Sequence, residues 1–188
     1  ILTPLLQHIF DQLFELEIRN YCFVVGREKR SIEDHFTPHN SYLKEIAKND
    51  RIILKNFYQK LNKSHIMWVN QNQPLGFGDA VKRTEKFVGN DDFVVHAGDV
   101  TIMGHSPHPI QRFLKTIKND PTISCVLLCK EVKDTKRYGV PKIKKQTNSL
   151  FLVEEVEEKP LKPKSNFAIM PLYYFKPNIR FFFNKFFK

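Results

Sequence analysis

The alternation of helix-period stretches with short, continuous apolar runs constrains this chain more than any other feature. Leu5, Leu6, Ile9, Phe10, Leu13, Phe14 and Leu16 recur at helical spacing after Thr3 and Pro4, which read as cap and first-turn residue. A run over 21–25 then reads as a buried strand ending at Gly26. Between residues 31 and 63 the pattern is polar and helical, with Leu43, Ile46, Ile53, Leu54, Phe57 and Leu61 spaced like helix faces. Strands are expected over 66–69, 93–97 and 123–129, and helices over 78–88 and 109–118. Strands that are apolar throughout, rather than at every second residue, belong to a sheet covered on both faces. After about residue 130 the rhythm changes: the strand-like runs 150–156 and 167–175 are joined by polar, Pro-bearing connections with no helix between them. The expected fold is therefore α/β, a Rossmann-like and mostly parallel sheet with helices on both faces. It carries an added β-rich portion, and one domain is divided into an α/β part over 1–130 and a β-rich part over 131–188.

A chain of 188 residues with 41% hydrophobic residues can bury a real core. The balance of 30 Lys and Arg against 20 Asp and Glu gives +10 and suits anionic partners, whether nucleic acid, an acidic membrane face or phosphorylated small molecules. The basic residues are spread along the chain, which also fits a plain solvated surface. No basic stripe with interleaved aromatics argues for nucleic acid, and no apolar run reaches the roughly 18 residues that a membrane span needs. Cys22, Cys125 and Cys129 form no zinc pattern, and each sits in an apolar run. An odd number of such cysteines points to a reduced, cytoplasmic protein. The chain opens on Ile1 in the middle of an amphipathic pattern and ends on Phe-Phe-Lys, so a fragment of a longer domain is expected. The Phe-rich tail 180–188 reads as a core helix cut from its packing partners in preference to a membrane-surface segment. Its exposure would favour self-association into a homo-oligomer.

Three stretches carry candidate chemistry. In Trp68-Val69-Asn70-Gln71-Asn72-Gln73-Pro74-Leu75-Gly76-Phe77-Gly78-Asp79-Ala80-Val81 a strand runs through a glycine-bearing loop into a helix. Glycine lets a ligand approach the backbone, and an amide such as Gln71 offers a donor and an acceptor to a nucleobase edge. A plain strand–turn–helix connection fits the same residues. In the second stretch the strand Phe93-Val94-Val95-His96-Ala97 ends in Gly98-Asp99, placing a carboxylate where open α/β sheets bind ligands. Asp99 could hold Mg²⁺ beside a substrate phosphate, and could equally cap a turn. The third set lies in the β-rich part: Arg137-Tyr138-Gly139-Val140, Val156-Glu157-Glu158-Lys159-Pro160 and Ser165-Asn166-Phe167-Ala168. An acid, a base and an amide that converge could bind sugar hydroxyls and a phosphate; taken singly, each fits a solvated surface. His105 and His108, in Gly-His-Ser-Pro-His-Pro, lack a third ligand and read as a surface loop.

In this order the three stretches resemble the sugar-1-phosphate nucleotidyltransferases, over residues 4–177. Leu5-Leu6-Gln7, Phe23-Val24-Val25-Gly26-Arg27 and Ser31-Ile32-Glu33-Asp34-His35-Phe36 are similar to the bacterial and archaeal uridylyltransferase branch. So is the helical insertion over 42–61, which the thymidylyltransferases lack. The resemblance implies that Gln71 and Gly76 contact the uracil base, with Gly98 also on the nucleotide side, and that Asp99 binds a catalytic Mg²⁺. It implies backbone or side-chain contacts to the sugar from Gly139, Glu158 and Asn166, and a lysine facing the sugar phosphate at Lys159. The implied reaction is attack of glucose-1-phosphate on the α-phosphorus of UTP, giving UDP-glucose and pyrophosphate. Positioning and charge neutralisation drive it, without a covalent protein nucleophile.

One part of the family pattern has no counterpart. No Gly-x-Gly-Thr-Arg loop, which cradles the triphosphate in the family, occurs in the chain, nor does the family's later metal-binding aspartate. An unpaired sheet edge and little or no transferase activity of the chain by itself are therefore expected. A non-catalytic relative or fragment that binds nucleotide-sugar or a partner chain is the alternative, as is a thymidylyltransferase.

Overall fold

The computed structural model describes residues 3–103, 106–147 and 150–179, which form two compact units. The first contains residues 3–92, 98–103 and 177–179; the second contains 93–97 and 106–176. The chain thus leaves the first unit after Asp92, returns briefly at Gly98, and completes the second before Pro177. His105 and the Phe-rich tail 180–188 lie outside the described residues.

The first unit is a parallel strand pair with its helical crossover. Strand β1 (Asn20–Val25) pairs in parallel with β2 (His65–Asn70), in register from Asn20 opposite His65 to Val25 opposite Asn70. Parallel neighbours need a long connection. Here it consists of α2 (Arg30–His35), a 3-10 turn at Tyr42–Lys44 and α3 (Lys48–Asn62), so the stretch expected to be helical and polar is the crossover itself. Helix α1 (Leu5–Glu15) precedes β1. Its N-cap is Pro4 rather than Thr3, because the Pro4 carbonyl accepts from the N–H groups of Gln7 and His8 and no side chain caps the end.

The core of this unit is aromatic. Phe10 of α1 is 1% exposed and lies 4.9 Å from Tyr21, 5.5 Å from Phe36 and 5.9 Å from Phe57, centroid to centroid. The last two pairs are edge-to-face, the arrangement that sets a ring's positive edge against its neighbour's negative face. Phe10, Tyr21, Phe36 and Phe57 thus tie α1, β1, the end of α2 and α3 into one cluster, with Tyr58 and Leu61. His35 stacks on Phe57 at 5.2 Å and shares a 2.8 Å hydrogen bond with Gln7 Oε1, which is how this core accommodates two polar side chains. Lys60 of α3 reaches Asp11 at 2.8 Å and Glu15 at 3.0 Å on α1. Burial works against its ammonium, but hydrogen bonds to Asp11 and Glu15 outweigh it and hold the pKa above the ordinary lysine range.

Beyond β2 the expected single helix over 78–88 is two: α4 (Phe77–Arg83) and α5 (Glu85–Val88). The break falls at Thr84, whose hydroxyl and N–H both bond the Val81 carbonyl, at 2.7 and 3.0 Å. A threonine hydroxyl competing for a backbone carbonyl is a known reason for a helix to end.

The second unit is antiparallel among the described residues. Strand β7 (Phe167–Phe175) lies between β3 (Phe93–His96) and β4 (Cys125–Glu131), and β5 (Gly139–Thr147) pairs with β6 (Leu150–Glu158). Helix α6 (Pro109–Asn119) opens on His108, whose ring nitrogen accepts from Ile110 N–H while Gln111 reaches back to the His108 N–H. His108 is a helix cap, as the surface-loop expectation for it allows. Ala168, Leu172 and Tyr174 of β7, with Ile110 and Phe113 of α6 and Val140 of β5, supply buried apolar surface. The β4 boundary falls two residues later than expected because Asp120 folds the preceding segment into a turn, accepting from Thr122 N–H at 3.0 Å and from its hydroxyl at 2.6 Å.

Strand β5 is the element that sequence patterning misses. Its Pro141 argues against a strand interior, and register shifts between Lys142 and Ile143 and between Ile143 and Lys145 spoil the two-residue period. The structure accommodates Pro141 because β5 has one paired neighbour, β6, among the described residues.

Candidate functional site

In the first unit, Gln71 follows β2 directly, its N–H donating to Val25 O at 2.8 Å and extending the β1–β2 pairing by one residue. The loop then returns to it. The Gln71 side-chain nitrogen donates to the Gly76 carbonyl at 3.1 Å and to Asp79 Oδ2 at 2.7 Å. Gly76 has φ 103° and ψ 179°, backbone that is essentially restricted to glycine, and a Cβ built there would have nothing within 4 Å. The glycine is therefore needed for its torsion and leaves an open approach. Gln71 and Gly76, singled out together in the sequence as base contacts, are thus in direct contact with each other.

Asp79 is a residue that sequence reasoning passed over. It sits in the first turn of α4 and takes the Nε of Arg83 on the same Oδ2, at 2.8 Å. Arg83, and after it Gln71, hold its carboxyl below the usual aspartate range by hydrogen bonding. The signal was present as the i, i+4 spacing of an acid and a base on one helix.

Gly98 and Asp99 form the turn that follows β3, and both are exposed. A Cβ at Gly98 would touch Leu6 Cδ1 at 3.4 Å, ordinary contact at its upper limit of closeness, so the turn lies directly on α1. Gln12 of α1 donates to Ile102 O at 2.7 Å and pins the same segment further along. Among the described residues no group of three or more His, Cys, Asp or Glu side chains gathers into a cage that could hold a metal by itself.

In the second unit, Gly139 stands opposite Glu158 at the open end of the β5–β6 hairpin. A Cβ at Gly139 would meet Glu158 Oε2 at 3.3 Å and Ile169 Cδ1 at 3.5 Å, so the absent side chain makes room for that carboxylate. Lys159 follows with φ 47°, and its N–H bonds Tyr138 O at 3.0 Å. This left-handed turn is a cost that a non-glycine residue meets only where its surroundings impose it. The Lys159 ammonium lies 3.7 Å from Glu158 Oε1, with the two side chains 64% and 71% exposed. An ion pair so exposed contributes little to stability and leaves both charges available to a ligand. Asn166 has partners of its own: its Nδ2 donates to Glu131 Oε1 while its backbone carbonyl accepts from Val132 N–H at 2.9 Å. Gly139, Glu158 and Lys159 are therefore one cluster, and Asn166 is tied to the end of β4 through Glu131, a second residue not singled out by sequence.

Comparison with known proteins gives these groups a family. The chain matches the nucleotidyl transferase family model over residues 2–187. It is 31% identical over 181 residues to UTP–glucose-1-phosphate uridylyltransferase 1 of Staphylococcus saprophyticus, covering 94% of this chain and 62% of that protein. Among solved structures, apo UDP-glucose pyrophosphorylase superposes with a TM-score of 0.86 at 25% identity, covering 97% of this chain and 68% of the other. UDP-glucose pyrophosphorylase complexed with UDP-glucose superposes with a TM-score of 0.79 at 26% identity, covering 94% and 65%. The chain spans less than two-thirds of the length of the curated relatives it matches. The α/β class expected from the alternation of helix and strand is the fold of these neighbours. With one family model running through both compact units, the chain belongs to the nucleotidyl transferase family.

Proposed function

We propose that this chain carries the ligand-recognition residues of a UTP–glucose-1-phosphate uridylyltransferase, which forms UDP-glucose and pyrophosphate. The observation that carries the proposal is the loop in which Gln71, Gly76 and Asp79 meet at an open glycine, a site for the edge of a base. Curated relatives with that activity, and a structural neighbour holding UDP-glucose, support the choice of substrate.

In the first unit Gln71 and Gly76 contact the uracil, with the backbone of Gly98 on the nucleotide side. Asp99 fits Mg²⁺: it offers one exposed hard oxygen donor, and Mg²⁺ characteristically takes one or two carboxylates and completes its shell with water and substrate phosphate. When bound, the ion neutralises phosphate charge as the α-phosphorus is attacked. In the second unit Glu158 accepts from sugar hydroxyls, the Gly139 backbone and Asn166 add polar contacts, and the Lys159 ammonium pairs with the sugar phosphate. Since none of these residues forms a covalent bond to substrate, their contribution is orientation and charge. Among the described residues no helix is long and apolar enough to cross a membrane. A cytoplasmic setting goes with the proposal, supported by the free thiols of Cys22, Cys125 and Cys129.

Binding, rather than turnover, is the direct test, because no Gly-x-Gly-Thr-Arg loop occurs among the 188 residues. The purified chain is titrated with UTP in the presence and absence of Mg²⁺, beside Asp99→Asn. Wild-type affinity should rise with Mg²⁺ and the variant should lose that increment. Mg²⁺-independent binding of equal strength in both proteins would remove Asp99 from the metal assignment.

A further inference from the structure

The amide of Gln71 is held in a single orientation by chemistry alone. Both groups within reach of its nitrogen, the Gly76 carbonyl at 3.1 Å and Asp79 Oδ2 at 2.7 Å, can only accept hydrogen bonds when Asp79 is ionised. The NH₂ must face them, since turning the amide over would set its oxygen against two acceptors. Both amide hydrogens are then committed. The oxygen Oε1 faces the other way and accepts no hydrogen bond from the described residues. Arg83 secures the arrangement by placing its Nε 2.8 Å from the same carboxylate oxygen, which fixes Asp79 in position. The same contacts lower the Asp79 pKa, keeping it an acceptor at neutral pH.

We propose that Asp79 is a positioning residue that fixes Gln71 with its oxygen toward the ligand, so that the loop takes a pyrimidine whose ring N3 carries a hydrogen and discriminates against one whose N3 is an acceptor. Uracil has such an N3–H; cytosine presents a lone pair there, which would face the lone pairs of Oε1. Thymine shares the uracil edge, so the device separates uridine from cytidine and leaves thymidine to other contacts. The proposal rests on Gln71 being the base-contacting residue. A mispaired acceptor at a desolvated contact is worth about tenfold or more in affinity.

Two readouts on the purified 188-residue chain test it. The first needs no nucleotide: in ¹⁵N-edited NMR spectra the Gln71 side-chain amide hydrogens should exchange slowly with water, and Asp79→Ala should speed their exchange. The second is calorimetric titration with UTP and with CTP. Wild type should favour UTP by about tenfold or more. In Asp79→Asn, which keeps the size of the side chain and can donate as well as accept, the UTP-to-CTP ratio should fall toward one. Asp79→Ala should lower it as well, with urea denaturation confirming that both variants fold. A wild-type chain that prefers UTP while both variants keep the full ratio would overturn the positioning role and leave the base assignment standing. A wild-type chain that binds neither nucleotide would overturn the base assignment, and the selectivity role with it. Gln71 amide hydrogens that exchange as fast as those of an exposed glutamine would overturn the fixed orientation whatever the nucleotide result.

Discussion

Replacing Gly76 with alanine separates a backbone requirement from a packing one. The residue has φ 103° and ψ 179°, and the added methyl would meet nothing within 4 Å. No clash is therefore created, and the whole cost is torsional, of order 1–3 kcal/mol for an L-residue held there. That strain has two outlets. If the loop keeps its shape, folding stability falls by that amount. If the loop relaxes instead, it gives up the bond from the Gln71 side chain to Gly76 O at 3.1 Å and the bond from Ala80 N–H to Gly76 O at 3.2 Å, which opens α4. Stability is then nearly preserved, and nucleotide affinity falls by roughly five- to a hundredfold, the same free energy at 1.4 kcal/mol per decade. Gly26→Ala is the control, since Gly26 has no positive φ and equally open surroundings. It should be neutral or stabilising by up to about 1 kcal/mol through the unfolded chain. Urea denaturation and UTP titration of both variants read the two outlets together. If Gly76→Ala matches Gly26→Ala in both denaturation midpoint and affinity, the torsional argument is wrong.

Other substitutions probe the rest of the framework. Phe10→Ala removes the ring that Tyr21, Phe36 and Phe57 surround and should cost about 3–5 kcal/mol in urea denaturation, a large share of the roughly 5–15 kcal/mol that holds an ordinary domain folded. Burial lowers the His35 pKa, so the folded state disfavours its charged form. Above its ordinary value near 6.5 the ring is neutral in both states, whereas below it the unfolded chain takes up the proton first and stability falls. The denaturation midpoint of wild type should therefore drop more between pH 7 and pH 5 than that of His35→Gln; parallel curves would contradict this. Burial pushes the thiols of Cys125 and Cys129 up to about 12 and about 11, so at neutral pH both should resist alkylation until the chain unfolds. Labelling of the native chain as fast as of a free thiol would refute that burial.

How far the sequence speaks depends on whether a residue's role is set locally. The period of α1, the apolar runs of β1 and β2 and the helical crossover between them all follow from neighbours in the chain, and they are found within a residue or two of their expected places. Strand β5 escaped because Pro141 and two register shifts erase the alternation that announces a strand, while its partner β6 can still pair with it. The division of α4 from α5 turns on one hydroxyl, Thr84, finding the Val81 carbonyl. Among the candidate site residues, Gln71, Gly76, Gly139 and Glu158 were visible as residue types. That Gln71 touches Gly76 and that Gly139 makes room for Glu158 are facts of folding back. The i, i+4 spacing of Asp79 and Arg83 announces their ion pair, but that Asp79 holds Gln71 and Glu131 holds Asn166 follows only from folding back.

The proposed function has this chain take the base of a uridine nucleotide through the Gln71–Gly76 loop of the first unit, and a sugar through the Glu158 cluster of the second. Calorimetric titration of the purified chain with UDP-glucose, alongside UMP as the probe lacking the sugar, tests it most directly. The expected result is one-to-one binding of UDP-glucose, tighter than UMP, with the difference lost in Glu158→Gln. Absence of binding up to millimolar UDP-glucose, or UMP bound as tightly as UDP-glucose, would contradict it.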